Sequence, residues 1–153
     1  MARALALAKA GAAKGEIPVG AVLTYGDQII AEAHNLVEIN QQASDHAEML
    51  ALRAASKKLG RKFLTGCTLW VTLEPCPMCA TALAHARIDK LVFAASDPKS
   101  GGVLFGPQVF DQPTCHHRPE VISGLMATEA EGLLRVFFQE MREAASQANP
   151  YLI

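Results

Sequence analysis

Residues 71–79, VTLEPCPMC, place two cysteines three positions apart, directly after a run that favours a β-strand. Residues 68–73 are β-branched, aromatic or leucine, and Pro75 ends the run. A helix is expected to begin near Cys76. Taken alone, a C-x-x-C pair is compatible with a redox pair, with half of a zinc site or with a chance spacing.

A second motif lies upstream, in the stretch SDHAEML at residues 44–50. His46 and Glu48 fall at the start of a predicted helix, so the chain reads H-x-E followed by P-C-x-x-C. One imidazole and two thiolates make three protein ligands, and zinc sites of that kind keep the fourth position for water. The positive end of a helix favours thiolate at Cys76 and Cys79. Glu48 could move protons beside the metal without being a ligand.

The alternatives for the cysteine pair are weaker. A redox pair calls for a thioredoxin-like context, which an H-x-E motif does not supply. A structural zinc site would normally show a fourth Cys or His, and neither Cys67 nor Cys115 has the required spacing. The combined motifs therefore favour a catalytic zinc site.

The bulk composition is ordinary for a globular chain. The 153 residues are 50% hydrophobic and 19% charged, which suffices for one domain with a single core. The net charge is −1, so composition gives no basic signature of a nucleic-acid binder, although local patches can still contact RNA. No apolar run approaches the roughly 18 residues that a membrane-spanning helix needs. We expect one domain over residues 1–153 and no membrane association.

The N-terminal stretch has some features of a signal peptide. Its apolar segment, residues 4–8, is ended by Lys9 and is too short for the hydrophobic region of such a peptide. We expect instead an amphipathic helix over 2–14, a cytoplasmic location and cysteines that stay reduced.

Strands and helices alternate along the chain. The β-rich stretches 17–25 and 28–35 flank a Gly-Asp turn and predict a hairpin. Further elements are expected as follows: a helix from about 46 to 59, strand 68–74, helix 76–86, strand 89–95, a short strand 119–123 and a C-terminal helix. The alternation predicts a layered α/β domain.

Two further segments complete the sequence pattern. Residues 96–118 form a Gly-, Pro- and His-rich loop, and loops of that length in compact domains are usually functional or disordered. The C-terminal helix carries an apolar stripe that is expected to pack in the core, made of Leu133, Leu134, Phe137, Phe138 and Met141.

The joint signature H-x-E and P-C-x-x-C is that of the zinc-dependent nucleobase deaminases. More narrowly, EIPVGAVL (16–23), HAEMLALR (46–53), TLEPCPMC (72–79), ARIDKLVFAASDPKSG (86–101) and LLRVFF (133–138) resemble the bacterial tRNA-specific adenosine deaminases. The resemblance runs in order from Glu16 to Phe138. It implies a three-layer α/β/α cytidine-deaminase-like fold with a five-stranded mixed sheet, and a homodimer.

The resemblance also assigns roles to particular positions. One Zn²⁺ per chain would be held by His46, Cys76 and Cys79, with Glu48 as general acid/base. The substrate would be bound by three further residues: Asn35, Val19 and Asp97. Possible RNA contacts lie in the long loop: Lys99, His116, His117 and Arg118. Asp45 departs from the family pattern, because a small residue is expected before the ligand histidine.

The expected reaction is hydrolytic deamination of adenosine to inosine at the first anticodon position of tRNA, with an anticodon stem-loop as partner. The alternative is deamination of a free nucleobase or nucleoside of the guanine, cytosine or cytidine type.

Overall fold

The computed structural model describes residues 1–148. Its helices are α1 (Ala2–Ala12), α2 (Val37–Asn40), α3 (Ala47–Leu59), α4 (Pro77–Ala86) and α5 (Ala127–Ala148). Its strands are β1 (Gly20–Tyr25), β2 (Gln28–His34), β3 (Cys67–Leu73), β4 (Lys90–Ala95) and β5 (Glu120–Ser123), and a 3₁₀ turn spans Val109–Asp111. Sequence analysis predicted every strand and the four longer helices but not α2. Residues 149–153, the end of the predicted domain, lie outside the described residues.

The five strands form one mixed sheet in the order β2-β1-β3-β4-β5. Strand β1 pairs antiparallel with both β2 and β3, whereas β3, β4 and β5 run parallel. The predicted β1–β2 hairpin is confirmed, and its turn uses Gly26 at a φ of 56°, a conformation that glycine adopts without a steric penalty. The predicted fold class, with its five-stranded mixed sheet, is confirmed.

Helices cover both faces of the sheet. Helices α1 and α5 pack on one face, where α1 contacts β1 and β2, and α5 contacts β4. Helix α3 packs on β1 and β2 from the other side and also contacts α4. The close approach of α1 to the sheet needs a glycine in β1, since a Cβ at Gly20 would lie 2.0 Å from the Ala4 carbonyl oxygen.

The main core lies between the sheet and the layer that contains α3 and α4. Alternate residues of β1 and β3 point into it, as the period of two in a strand requires. Fully buried side chains at its centre include Leu23, Leu69, Val71, Leu83 and Phe93. This packing fixes the positions of the two helix N-termini, His46–Ala47 and Cys76–Pro77, beside each other.

The expected core stripe of α5 is only partly correct. Phe137 is buried, but Phe138 and Met141 expose 40% and 53% of their surface, and every residue from 138 to 148 is exposed. The helix has 22 residues, and in the described part of the chain its later turns have no sheet or other helix beneath them. Within residues 1–148, no helix combines the length and the apolarity that a membrane crossing requires.

Candidate metal centre and active-site cavity

The three predicted ligands converge where α3 and α4 begin. His46 is the N-cap residue of α3 and Cys76 is the N-cap residue of α4, while Cys79 lies in the first turn of α4. The Nδ1 atom of His46 lies 3.6 Å from Sγ of Cys76 and 3.4 Å from Sγ of Cys79. All three ligating atoms fall within 4.8 Å of one another, and no other such group occurs among residues 1–148.

This donor set fits zinc. Zinc in proteins is bound at about 2.0–2.1 Å by imidazole nitrogen and at about 2.3 Å by thiolate, in tetrahedral geometry. Those bond lengths place a ligating nitrogen and sulfur about 3.6 Å apart. The two nitrogen–sulfur distances in this chain are close to that value. Three ligands also leave one tetrahedral position free, as in catalytic zinc sites.

The two thiols of the cluster differ in acidity. The pKa of Cys76 is lowered to about 4, mainly because the Cys79 thiol donates to its sulfur, and His46 adds to the effect. The pKa of Cys79 is raised by the same hydrogen bond and by burial. Binding of both sulfurs to a metal therefore releases the proton of Cys79, which makes metal affinity rise with pH.

Glu48 lies in the first turn of α3, two residues after His46, and is only 4% exposed. Burial raises its pKa to about 7. A carboxyl group with that pKa exchanges a proton readily near neutral pH, which is what general acid–base catalysis requires.

A cavity of about 450 Å³ opens in front of the cluster. Six predicted residues line it, namely Val19, Asn35, His46, Glu48, Cys76 and Asp97. Cys79 is fully buried and is not part of the wall. The wall is completed by residues that sequence analysis did not single out as site residues: Ile17, Val37, Glu38, Leu73, Glu74, Ser96, Ser100, Leu134 and Phe138. The volume lies in the range of small-molecule sites.

Two buried glutamates hold residues of the cavity wall in place, and sequence analysis missed both. Glu16 is fully buried and accepts a hydrogen bond from Nδ2 of Asn35 at 3.0 Å. It also accepts the backbone N–H groups of Glu38 and Ile39 at the start of α2. The only sequence signal was an acidic residue directly before an apolar strand.

Glu74, which is 2% exposed, holds the loop that follows β4. Its Oε1 atom accepts the N–H groups of Val103, Leu104 and Phe105 at 2.8–3.1 Å, and its Oε2 atom accepts that of Asp97 at 2.9 Å. The carboxylate packs tightly against the loop backbone. Its signal in the sequence was a charged residue between a strand and the metal-binding motif.

Asp97 lies at the cavity wall, but its carboxylate serves the loop. Its Oδ1 atom accepts the backbone N–H groups of Lys99 and Ser100 at 3.1 and 3.0 Å. Asp97 could contact a substrate through its second carboxylate oxygen or through its backbone. The substrate-binding role expected for Asp97 stays a prediction.

The four expected RNA contacts do not lie together. Lys99 is exposed two residues beyond the cavity wall at Asp97. His116 and His117 line a separate cavity of about 430 Å³, and Nε2 of His117 donates to the Ile88 carbonyl oxygen at 2.6 Å. Arg118 forms an exposed ion pair with Asp111 at 3.5 Å. Their contact with RNA stays a prediction.

Asp45, the departure from the family pattern, does not contact the metal cluster. Its carboxylate accepts Nη1 of Arg53 at 3.0 Å and Nδ2 of Asn40 at 2.9 Å. These contacts lower its pKa, with the Asn40 hydrogen bond as the larger cause. Asp45 therefore ties α2 to α3 behind the ligand histidine.

Comparison with known proteins first gives the class. A family model described as MafB19-like deaminase matches residues 1–142. A layered α/β fold with this His-Cys-Cys cluster is thus that of a deaminase domain.

Similarity to individual proteins gives the narrower family. The chain is 46% identical to a tRNA-specific adenosine deaminase of Bacillus subtilis, over 99% of this chain and 94% of that protein. A solved structure from work on A-to-I editing by tRNA:A34 deaminases at the wobble position matches with a TM-score of 0.84 and 44% identity, over 86% of this chain and 95% of the other. A guanine deaminase of Nitrosomonas europaea matches with a TM-score of 0.77 but only 26% identity, over 89% of this chain and 81% of the other. The chain belongs to the tRNA-specific adenosine deaminases.

Proposed function

We propose that this chain catalyses the zinc-dependent hydrolytic deamination of adenosine to inosine at the first anticodon position of tRNA. The observation that carries the proposal is the His46, Cys76 and Cys79 cluster beside the buried Glu48, at the wall of a cavity large enough for a nucleoside. The family of the chain supports adenosine in tRNA as the substrate.

His46, Cys76 and Cys79 would hold the zinc ion. When bound, zinc would lower the pKa of water to about 7 and so supply a nucleophile at neutral pH. The reaction forms a bond from a water oxygen to C6 of adenine and breaks the bond from C6 to the amino nitrogen, which leaves as ammonia. Glu48 accepts one proton from the water and delivers it to the ring nitrogen, and it then carries the second water proton to the departing amino group. Its pKa of about 7 suits both steps.

The remainder of the cavity would bind the nucleoside. Val19 offers an apolar surface for the base, and Asn35 offers an amide for hydrogen bonding. An adenine inside a stacked duplex cannot enter such a cavity, so the target base has to be splayed from a loop. An anticodon loop supplies such a base at low cost.

The remaining features of the proposal follow from the family. One zinc ion would be bound per chain, residues 1–153 would form one deaminase domain, and the enzyme would act as a homodimer in the cytoplasm. Lys99, His116, His117 and Arg118 would contact the RNA outside the cavity. The exposed apolar side chains of Leu104 and Phe105, beside the cavity loop, support a partner surface there.

The second candidate is a deaminase of a free base or nucleoside. The structural similarity to a guanine deaminase favours it, because a protein of similar fold is named for action on guanine. The lower identity, 26% against 44%, favours the tRNA substrate.

The deciding experiment compares kcat/KM on four substrates: an anticodon stem-loop with adenosine at the first anticodon position, free adenosine, guanine and cytosine. We expect the stem-loop to be deaminated far better than any free compound. A stem-loop with guanosine at that position is the matched control and should not react. Equal efficiency on the stem-loop and on free guanine or cytosine would contradict the tRNA assignment.

A further inference from the structure

The side-chain amide of Asn35 is held in one orientation by Glu16. Its Nδ2 atom donates to Oε2 of Glu16 at 3.0 Å, and both residues are buried, at 6% and 0% exposure. Nothing else in residues 1–148 hydrogen-bonds to the Asn35 side chain. Because the Glu16 oxygens also accept two backbone N–H groups, the amide has to turn its nitrogen toward Glu16 and its oxygen away.

The oxygen that Asn35 turns away from Glu16 faces the cavity. No side-chain nitrogen or oxygen among residues 1–148 is both fully enclosed and without a hydrogen-bond partner. The Oδ1 atom of Asn35 has no protein partner there, and Asn35 lines the cavity. The oxygen is therefore open to whatever the cavity holds.

Glu16 is itself firmly placed. Its backbone N–H donates to the Gly11 carbonyl oxygen at 3.1 Å, at the end of α1. Its Oε1 atom accepts the Ile39 N–H at 2.7 Å, which anchors α2. The Asn35 backbone is fixed as well, since its N–H donates to the Val19 carbonyl oxygen at 3.0 Å. Both residues of the pair are thus anchored through their backbones.

We propose that Glu16 is a positioning residue that fixes Asn35 so that its Oδ1 atom accepts a hydrogen bond from a hydroxyl or amino group of the substrate. This inference rests on the proposed function, because it needs Asn35 to contact a nucleoside. It goes beyond that function in naming the residue that sets the polarity of the contact. With the opposite orientation, Asn35 would present a donor to the cavity in place of an acceptor.

The test exchanges the polarity of the pair. In Glu16→Gln, the new amide can donate to residue 35, so Asn35 is expected to turn its oxygen toward position 16 and its nitrogen to the cavity. We expect kcat/KM to fall by about tenfold or more, the value of roughly one hydrogen bond. Zinc content should remain at the wild-type value. The exposed Glu131→Gln is the matched control and should leave kcat/KM unchanged.

The double variant Glu16→Gln with Asn35→Asp distinguishes two roles of Glu16. One is to orient residue 35, and the other is only to anchor α2. The glutamine at 16 can donate to one carboxylate oxygen at 35, and the other oxygen again faces the cavity as an acceptor. We expect kcat/KM to return to within about threefold of wild type. A double variant no better than Glu16→Gln would overturn the proposal, as would a Glu16→Gln variant with wild-type kcat/KM.

Two further measurements cover the remaining outcomes. If Glu16→Gln does not fold, the hydrogen bond between Asn35 and Glu16 is tested in the wild type. The measurement is hydrogen exchange of the Asn35 side-chain amide in ¹⁵N-labelled protein. Slow exchange supports the bond to Glu16, and exchange at the rate of an exposed asparagine overturns it. If the wild type fails to deaminate the stem-loop, the proposed function fails separately. The same variants are then assayed on the free nucleoside or base that the wild type does deaminate.

Discussion

The Nδ1 atom of His46 lies 3.4 Å from the Sγ atom of Cys79, although 33 positions separate the two residues. Two helices that begin side by side against the same sheet bring them together. All four cysteines are free, so both thiols of the cluster are available as zinc ligands.

Zinc should be bound at about one ion per chain, and Cys79→Ser should remove it. Binding energy of a protein metal site contributes to folding, so this variant should also unfold at a lower temperature. Metal content is measured by elemental analysis and stability by thermal unfolding. Cys115→Ser is the matched control, because Cys115 lies outside the cluster and a hydroxyl can still donate to the His117 carbonyl oxygen. Full zinc content in Cys79→Ser would disprove the ligand assignment.

Glu48→Gln should keep zinc and the fold but lose most turnover. The glutamine has nearly the same shape and cannot carry a proton, so we expect kcat to fall by about 10²–10⁴-fold. Single-turnover assays with the zinc-loaded variant measure the chemical step directly. Glu131→Gln, on the exposed surface, should behave like wild type. A near wild-type rate in Glu48→Gln would mean that another group moves the proton.

Glu74→Gln should destabilise the chain and loosen the loop 97–105. The glutamine replaces one acceptor oxygen by a donor that faces backbone N–H groups, so we expect a loss of about 2–4 kcal/mol in the free energy of unfolding. Urea unfolding measures that loss, and hydrogen exchange of Val103, Leu104 and Phe105 locates it. Glu120→Gln serves as the control, because its exposed ion pair with Lys90 is worth less than about 1 kcal/mol. Unchanged exchange in the loop would show that Glu74 does not hold it.

Charge reversal at Lys99 should weaken turnover of the stem-loop and leave activity on a free nucleoside unchanged. Lys99 is exposed near the cavity, where an RNA phosphate would pass. The net charge is −1, and few cations are expected to contact RNA phosphates. The affinity for RNA should therefore decline only shallowly as the salt concentration rises. The measurement is kcat/KM on both substrates at several salt concentrations.

Arg118→Glu is a comparison within the same experiment. Its guanidinium is paired with Asp111, so its reversal tests whether RNA displaces that pair. If both reversals lower stem-loop and nucleoside turnover equally, these residues act on the fold and not on RNA.

The chemistry of the site was readable from the sequence because it depends on short motifs. H-x-E and P-C-x-x-C fix which atoms are near one another within each helix turn, and strand-like and helical periods fix the layered α/β class. Antiparallel pairing of β1 and β2 followed from the tight Gly-Asp turn between them. These are local relationships, so local sequence suffices for them.

Only the tertiary structure decided how the cavity walls are made. Glu16 and Glu74 look like ordinary surface charges in the sequence, yet both are buried because backbone N–H groups from distant segments converge on them. The same holds for α5, whose apolar stripe predicted a core but extends past the sheet. Burial and hydrogen-bond partners depend on which segments meet in space, and no short stretch of chain encodes that meeting.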